Sequence, residues 1–196
     1  MPNYNKTSRG SNEMKGIVFN LLEEVVIRHY GENTWDALLD DTGLTGAYTS
    51  LGSYPDDDIY KLVGVASKAL NLSTFDLLRW FGREAMPLMA TRYPAYFQGH
   101  AAAREFVLSV NSIIHPEVRK VYPGADVPTF GFRDEPGGAL LMEYRSARRL
   151  CALAQGFVEG AGDQFGESVE FEHLKCMHNG DASCLCRITF AASRRD

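Results

Sequence analysis

Tyr144-Arg145-Ser146-Ala147-Arg148 is the most informative stretch of this 196-residue chain. If residues 139–148 are extended, alternate side chains point to the same face, so Tyr144, Ser146 and Arg148 lie on one side together. Two hydroxyls and a guanidinium at two-residue steps form an array of hydrogen-bond donors suited to a pair of carboxylates. By itself the pattern is also typical of an ordinary solvated strand, so residues elsewhere in the chain must decide.

The deciding residue is His115, which lies upstream of the triad, directly after Ser112-Ile113-Ile114. Neutral imidazole is a good ligand for ferrous iron. A lone histidine on the apolar face of a helix is more often a hydrogen-bonded core residue, however, and Tyr144 and Arg148 are each common on ordinary strands. The order of the motifs favours the functional interpretation, because Tyr122-Pro123-Gly124 and Pro128 lie between His115 and the triad.

This ordered set resembles the haem nitric oxide/oxygen binding family (H-NOX), which forms the haem domain of soluble guanylate cyclases and of small bacterial gas sensors. The resemblance covers most of the chain through Met14-Lys15-Gly16, Tyr93-Pro94-Ala95-Tyr96-Phe97, Phe106-Val107-Leu108, His115, Tyr122-Pro123-Gly124, Pro128 and the triad. It implies haem b as the cofactor, His115 as the axial ligand of its iron, and Tyr144, Ser146 and Arg148 as the propionate-binding residues. A single protein ligand leaves the opposite axial position open for a diatomic gas.

The remaining haem-pocket residues implied by the resemblance are Val18, Leu22, Leu78, Ala85, Met89, Pro128 and Leu153. Oxygen-binding relatives carry a distal tyrosine where this chain has Leu153. Bound oxygen draws electron density from iron and gains from a nearby donor, whereas NO needs little such help, so the apolar wall predicts an NO sensor that largely excludes oxygen. CO is the second expected ligand, and Trp80 is the nearest alternative donor.

A second metal site is expected near the C-terminus, where all four cysteines fall: Cys151, Cys176, Cys184 and Cys186. In a cytosolic protein, such clustering favours metal binding or redox chemistry over a structural disulfide frame. His173 and Cys176, followed by Cys184 and preceded by Cys151, make the Cys₃His set that structural zinc prefers, and the resemblance implies the same four ligands.

Two features leave that zinc site open. Cys186 and His178 are competing ligands. Strand parity also puts His173 and Cys176 on opposite faces, so their strand must bulge or end early for both to bind one ion.

Helical periodicity in the first half and strands in the second predict an α+β fold. The resemblance adds a helical N-terminal part, a C-terminal part with a four-stranded antiparallel sheet, and haem buried between them. Residues 1–13 are expected to be a flexible tail and 14–196 a single domain. Asp56-Asp57-Asp58 is interpreted as the solvated start of a helix. The expected helices are 15–30, 33–41, one after 58, 74–91, 100–120 with a junction at His115, and 147–161; the expected strands are 127–134, 138–146, 167–175 and 184–191.

Composition and charge exclude several classes of protein. The formal net charge of −5 argues against nucleic acid or an anionic membrane as the main partner. No apolar run approaches the ~20 residues of a membrane span, and the first residues lack the apolar segment of a signal peptide, so a cytoplasmic protein is expected.

The chain contains no kinase, cyclase or phosphodiesterase motif. It is therefore expected to be a sensor and not an enzyme, regulating a separate histidine kinase or a cyclic-di-GMP enzyme (diguanylate cyclase or phosphodiesterase), which are the partners that the resemblance implies. One alternative is a zinc/cysteine redox sensor in which haem is secondary. Another is a haem enzyme such as a peroxidase or NO dioxygenase, which the apolar distal wall disfavours because O–O cleavage usually needs an acid–base group.

Overall fold

A computed structural model describes residues 13–192, which form an α+β fold as predicted. Its helices are α1 (Gly16–Tyr30), α2 (Glu32–Thr42), α3 (Asp56–Leu70), α4 (Thr74–Arg92), α5 (Ala103–Ser109), α6 (His115–Val121) and α7 (Cys151–Phe165). Its strands are β1 (Glu13–Lys15), β2 (Ser53–Pro55), β3 (Thr129–Asp134), β4 (Leu140–Arg145), β5 (Glu167–Lys175) and β6 (Cys184–Ala192). Among these residues, no helix combines the length and apolarity that crossing a membrane requires.

The N-terminal helices α1 to α4 enclose an apolar core in which Phe19, Ile59 and Phe81 are almost completely buried. Ser73 ends the link before α4, and its hydroxyl accepts a hydrogen bond from the backbone N–H of Asp76 at 3.0 Å. This is the N-cap of α4, and it satisfies one of the unpaired N–H groups at the start of the helix. The short strands β1 and β2, which the sequence did not reveal, pair antiparallel beside this core.

The centre of the molecule is the contact between α4 and α7. A Cβ atom added at Gly156 would lie only 2.0 Å from the carbonyl oxygen of Arg79, and one at Gly82 would lie 2.4 Å from that of Leu153. Only glycine permits so close an approach of two helices. With α4 on one side and the sheet on the other, α7 is buried along most of its length.

The C-terminal part contains a four-stranded antiparallel sheet in the order β3-β4-β6-β5, which confirms the predicted architecture. Strand β5 shows a register shift between His173 and Lys175 and ends at Lys175. The irregularity that strand parity required is therefore present.

The segment around His115 is more irregular than a single kinked helix. A π-helical turn, Val110–Ile114, separates α5 from α6, and His115 is the first residue of α6. Pro116 therefore lies directly after the π-helical turn, so its missing N–H falls where the helix returns from π to α hydrogen bonding. Single π turns inside helices are frequent at functional sites.

Two predicted boundaries and one predicted exposure need correction. Helix α7 begins at Cys151 and not at residue 147, because Arg149 adopts a left-handed conformation with φ of 52°. Asp56 is not solvated but is only 8% exposed. Of the predicted tail, residues 1–12 lie outside the described range, whereas Glu13 belongs to β1.

Candidate functional site

A cavity of about 300 Å³ lies between the N-terminal helices and the sheet. Its walls are largely apolar and come from α1, α4, α5, α6, α7, β3, β4 and the segment 122–128. Histidine, tyrosine, serine and arginine side chains from the sequence motifs line it together: His115, Tyr144, Ser146 and Arg148. The fold therefore brings together residues that the sequence separates.

His115 meets the cavity with an unprotonated imidazole. Burial, and to a lesser degree the nearby charge of Arg119, lower its pKa to about 4. The ring stacks on Phe130 with 5.7 Å between ring centroids. Within residues 13–192 its ring nitrogens have no hydrogen-bond partner, which is unusual for a half-buried polar group and contradicts the interpretation as a hydrogen-bonded core histidine.

Tyr144 and Ser146 line the cavity from the end of β4. The hydroxyl oxygen of Tyr144 accepts a hydrogen bond from the backbone N–H of Leu150 at 3.0 Å, so its own O–H remains available to donate. Burial raises the pKa of Tyr144 to about 12, which keeps that proton in place. The strand ends at Arg145, and the backbone N–H of Arg148 donates to the Ser146 hydroxyl across the following turn at 3.3 Å.

Arg148 is the most heavily bonded side chain of the cavity. Its Nε donates to Asp56 Oδ1 at 2.8 Å, and its Nη2 donates to the carbonyl of Glu13 at 2.7 Å. Its Nη1 donates to the carbonyl and the carboxylate of Asp126 at 2.7 and 3.2 Å. A guanidinium has five N–H groups, so among residues 13–192 these contacts leave one Nη2–H for an anion.

Sequence reasoning missed Asp56 as a member of this site. Its carboxylate and the Arg148 side chain are only 10% and 8% exposed, so they form a buried ion pair. Breaking such a pair from one side is strongly destabilising. The run of three aspartates gave no indication that one of them turns inward, because its partner lies far along the chain.

Some of the apolar residues expected in the pocket line the cavity and others do not. Four do: Val18, Met89, Pro128 and Leu153. Leu22 and Ala85 are buried in the N-terminal core, and Leu78 packs against it. Leu22 lies one helical turn beyond Val18 and lines a separate apolar cavity of about 80 Å³. Trp80, the alternative donor, also lines that second cavity.

A cluster of cysteines and a histidine lies where α7 meets β5 and β6. The ligand atoms of Cys151, His173 and Cys176 all lie within 4.8 Å of one another. The Sγ atom of Cys176 is 3.8 Å from that of Cys151 and 3.9 Å from that of Cys184. Two thiolates bound tetrahedrally at ~2.3 Å from one zinc would lie ~3.8 Å apart, so this spacing suits zinc.

Electrostatics in the cluster favour a bound cation. Burial, together with the neighbouring thiols of Cys184 and Cys176, raises the pKa of Cys151 well above its usual range. Burial also raises the pKa of Cys186 to about 12. Thiolates here are therefore unfavourable unless a positive charge offsets them, as a coordinating metal does.

The two competing ligands differ in their contacts. His178 Nε2 is 2.8 Å from the carbonyl of Arg149, so that nitrogen is already engaged. Cys186 Sγ lies 3.6 Å from His173 Nδ1, whereas Cys184 Sγ contacts Cys176 and accepts the backbone N–H of Met177 at 3.3 Å. Cys186 thus remains an alternative fourth ligand.

Comparison of the chain with known proteins identifies its family. A family model described as Haem-NO-binding matches residues 15–173. The chain belongs to the haem-NO-binding family. Proteins of this family, also called H-NOX, are haem-binding gas sensors.

Two H-NOX structures show how similar the fold is. An H-NOX protein from S. oneidensis in the Fe(II)NO ligation state is 29% identical, with a TM-score of 0.85 over 90% of this chain and 99% of that chain. The Fe(II) unliganded H-NOX protein from K. algicida is 27% identical, with a TM-score of 0.80 over 93% of this chain and 100% of that chain.

A curated relative is much longer. The soluble guanylate cyclase gcy-32 from Caenorhabditis elegans is 24% identical over 152 residues, which are 74% of this chain and 22% of that protein. The H-NOX chain described here therefore corresponds to only one part of the cyclase.

The donor set of this H-NOX chain fits a haem. An unprotonated imidazole on one wall can ligate iron, and the Tyr144 hydroxyl and the remaining Arg148 N–H can meet carboxylates at the other. The walls between them are apolar, as a porphyrin requires.

Proposed function

We propose that this chain is an NO sensor that uses ferrous haem b, largely excludes oxygen, and regulates a separate signalling protein. The observation that carries the proposal is that His115, unprotonated and without a hydrogen-bond partner among residues 13–192, lines the same cavity as Tyr144, Ser146 and Arg148. When bound there, haem would supply a ferrous iron with one axial position open to NO or CO.

The residues have distinct roles in this proposal. His115 would ligate the iron, and the low pKa of its imidazole keeps the nitrogen lone pair available at neutral pH. Tyr144, Ser146 and Arg148 bind the propionates through charge-assisted hydrogen bonds, which offset the desolvation of two carboxylates. Asp56 holds the Arg148 guanidinium in place from behind.

The exclusion of oxygen rests on the wall formed by α1, α4 and α7. Side chains without any hydrogen-bond donor cover it: Ile17, Val18, Met86, Met89, Leu153 and Phe157. A donor close to the gas would stabilise bound oxygen by a hydrogen bond of ~1–3 kcal/mol, and this wall offers none. Binding of NO needs no such donor.

Transmission to a partner follows from the position of His115 at the first residue of α6. The π-helical turn Val110–Ile114 precedes it, so α6 can shift relative to α5 when the imidazole changes position. The proposed partner is a separate histidine kinase or a cyclic-di-GMP enzyme, and the chain itself is proposed to be non-enzymatic. The resemblance to part of a cyclase supports a sensory role for this domain.

We further propose that zinc binds at Cys151, His173, Cys176 and Cys184. The interatomic distances in this cluster support a tetrahedral site. Such a zinc would stabilise the C-terminal part independently of haem, because structural zinc contributes directly to folding free energy.

A zinc/cysteine redox sensor remains the second candidate, favoured by a cluster of four free cysteines, of which Cys151, Cys184 and Cys186 are buried and Cys176 is half-buried. Peroxide would oxidise two zinc-bound thiolates to a disulfide. The peroxide itself would take up two protons and be reduced to two water molecules, and zinc would be released. Zinc release that alters a partner's activity in haem-free protein would favour this candidate over NO sensing.

Absorption spectroscopy of anaerobic ferrous protein, before and after NO, tests the main proposal. NO should change the spectrum at stoichiometric amounts. Absence of haem from protein supplied with it during expression would contradict the proposal.

A further inference from the structure

Two polar residues are buried in α7 among small and apolar neighbours. Gln155 is 5% exposed and Glu159 is 6% exposed. They follow Cys151 at four-residue steps, so the three side chains form one stripe along the helix. Burying an amide and a carboxylate is unfavourable unless both are hydrogen-bonded. The hydrogen-bond partners of Gln155 and Glu159 therefore show which groups these two side chains serve.

Those partners form one continuous chain of contacts. The Nε of Arg79, on α4, donates to Oε1 and Oε2 of Glu159 at 3.0 and 2.7 Å. Gln155 Nε2 donates to Glu159 Oε1 at 2.8 Å. Gln155 Oε1 lies 2.9 Å from His173 Nε2. The chain therefore leads from α4, through the buried face of α7, to the histidine of the cysteine cluster.

Hydrogen-bond chemistry gives this chain a single direction. Arginine only donates, and an ionised carboxylate only accepts. Glu159 therefore requires the NH₂ group of Gln155 to face it, which turns the amide oxygen toward His173. Because that oxygen can only accept, His173 must carry its proton on Nε2.

The tautomer leaves Nδ1 of His173 unprotonated. Nδ1 lies on the side of the cluster, 3.6 Å from Cys186 Sγ. The ring is held between Phe75 and Phe171, with ring centroids 5.5 and 5.2 Å away. A histidine ligand generally has its second nitrogen fixed by a carboxylate, carbonyl or water, and loss of that partner weakens metal binding 10–100-fold.

We propose that Gln155 and Glu159 are positioning residues that fix the tautomer of His173, so that Nδ1 is the nitrogen that binds zinc. The inference rests on the zinc site proposed above. It also assigns a role to Arg79, which anchors the carboxylate from α4, and to Gly156, whose missing side chain lets the two helices approach.

The test uses the full chain with haem bound and compares Gln155→Leu with Gln164→Leu. Gln164 is exposed on the same helix, so it is a matched control. Zinc affinity is measured by competition with a chromogenic chelator. Gln155→Leu should bind zinc ~10–100-fold more weakly than the wild type, and Gln164→Leu should not differ from the wild type. Glu159→Gln, which preserves the side-chain volume, should give a smaller loss.

Long-range ¹H–¹⁵N correlation spectra of the histidine rings provide a readout that a general loss of stability would not produce. In the zinc-loaded wild type, His173 should show a protonated Nε2 and a metal-bound Nδ1. Zinc bound through Nε2, or zinc affinity in Gln155→Leu equal to that of the wild type, would overturn the proposal.

The experiment also distinguishes a wrong zinc site from a wrong role for Gln155. Wild-type protein that binds no zinc would refute that site, yet the metal-free histidine spectrum would still report the tautomer. The Nε2–H form should then predominate in the wild type and in Gln164→Leu, and become mixed in Gln155→Leu. An unchanged His173 tautomer in Gln155→Leu would contradict the positioning role even if the protein binds no zinc.

Discussion

His115 and His173 are both half-buried histidines in candidate metal sites, yet their surroundings are opposite. Among the described residues, the ring nitrogens of His115 have no hydrogen-bond partner, and the residue follows a π-helical turn at the start of a short helix. Both ring nitrogens of His173 have neighbours, with Gln155 on Nε2 and Cys186 near Nδ1.

The difference matches two different tasks. A ligand whose position must change when a gas binds gains from few restraints, whereas a structural ligand gains from many. The proposed haem ligand thus has few restraints on its ring nitrogens, and the proposed zinc ligand has many.

The largest expected effect comes from removing the His115 imidazole. His115→Gly should lose most of its haem, because no other protein ligand to the iron is proposed, and added imidazole should restore binding. Haem per protein is measured by absorbance after purification. His100→Gly serves as the control and should retain its haem, and normal haem content with an unchanged ferrous spectrum in His115→Gly would refute the assignment.

Zinc content tests the proposed zinc site around His173. Protein purified without added metal should contain about one zinc, as expected for a four-ligand site. Chelation should lower the melting temperature whether or not haem is present. Elemental analysis of Cys151→Ser and Cys186→Ser sharpens the ligand set, because zinc should be lost in the first and retained in the second. Full zinc in undamaged Cys151→Ser would replace that ligand with Cys186.

Arg148→Ala tests the anchor between the two parts of the molecule. It would leave the buried Asp56 carboxylate unpaired and should lower the free energy of unfolding by ~3 kcal/mol. Haem should also be lost more readily on a desalting column. Arg145→Ala is the control, since its ion pair with Glu143 is exposed and should contribute less than ~1 kcal/mol. Haem retention by Arg148→Ala equal to that of the wild type would argue against propionate binding.

The smallest effect is expected from Leu153→Tyr. A new hydroxyl on the distal wall could donate one hydrogen bond to oxygen, worth ~1–3 kcal/mol, or a gain of roughly 5- to 150-fold in oxygen affinity. Oxygen titration of the ferrous protein measures it. Leu153→Phe adds the ring without the hydroxyl and should not gain affinity; an equal gain there would show that pocket shape, and not the hydrogen bond, is responsible.

Local sequence patterns predicted most of the secondary structure, because helical periodicity is itself local. The family resemblance supplied the architecture of the sheet. Local patterns could not reveal which side chains far apart in the sequence pair in the fold. Asp56 meets Arg148 only after folding, and the sequence gives no reason to choose it over Asp57. Gln155 and Glu159 look like ordinary polar residues of a helix until the close packing of α4 buries them.

The prediction of pocket residues also failed where the orientation of a helix face was wrong. Leu22, Leu78 and Ala85 lie on the same helices as residues that line the cavity, but their rotation around the helix directs them into the N-terminal core. A sequence fixes spacing along a helix more closely than it fixes which neighbour each face meets.

The most direct test of gas selectivity is the absorption spectrum of the ferrous wild-type protein, first exposed to air and then, in an anaerobic sample, to NO. The apolar wall around Leu153 predicts no stable spectral change with oxygen and a complete change with stoichiometric NO. A long-lived oxygen-dependent spectrum would contradict the proposed selectivity and would require a hydrogen-bond donor on that wall.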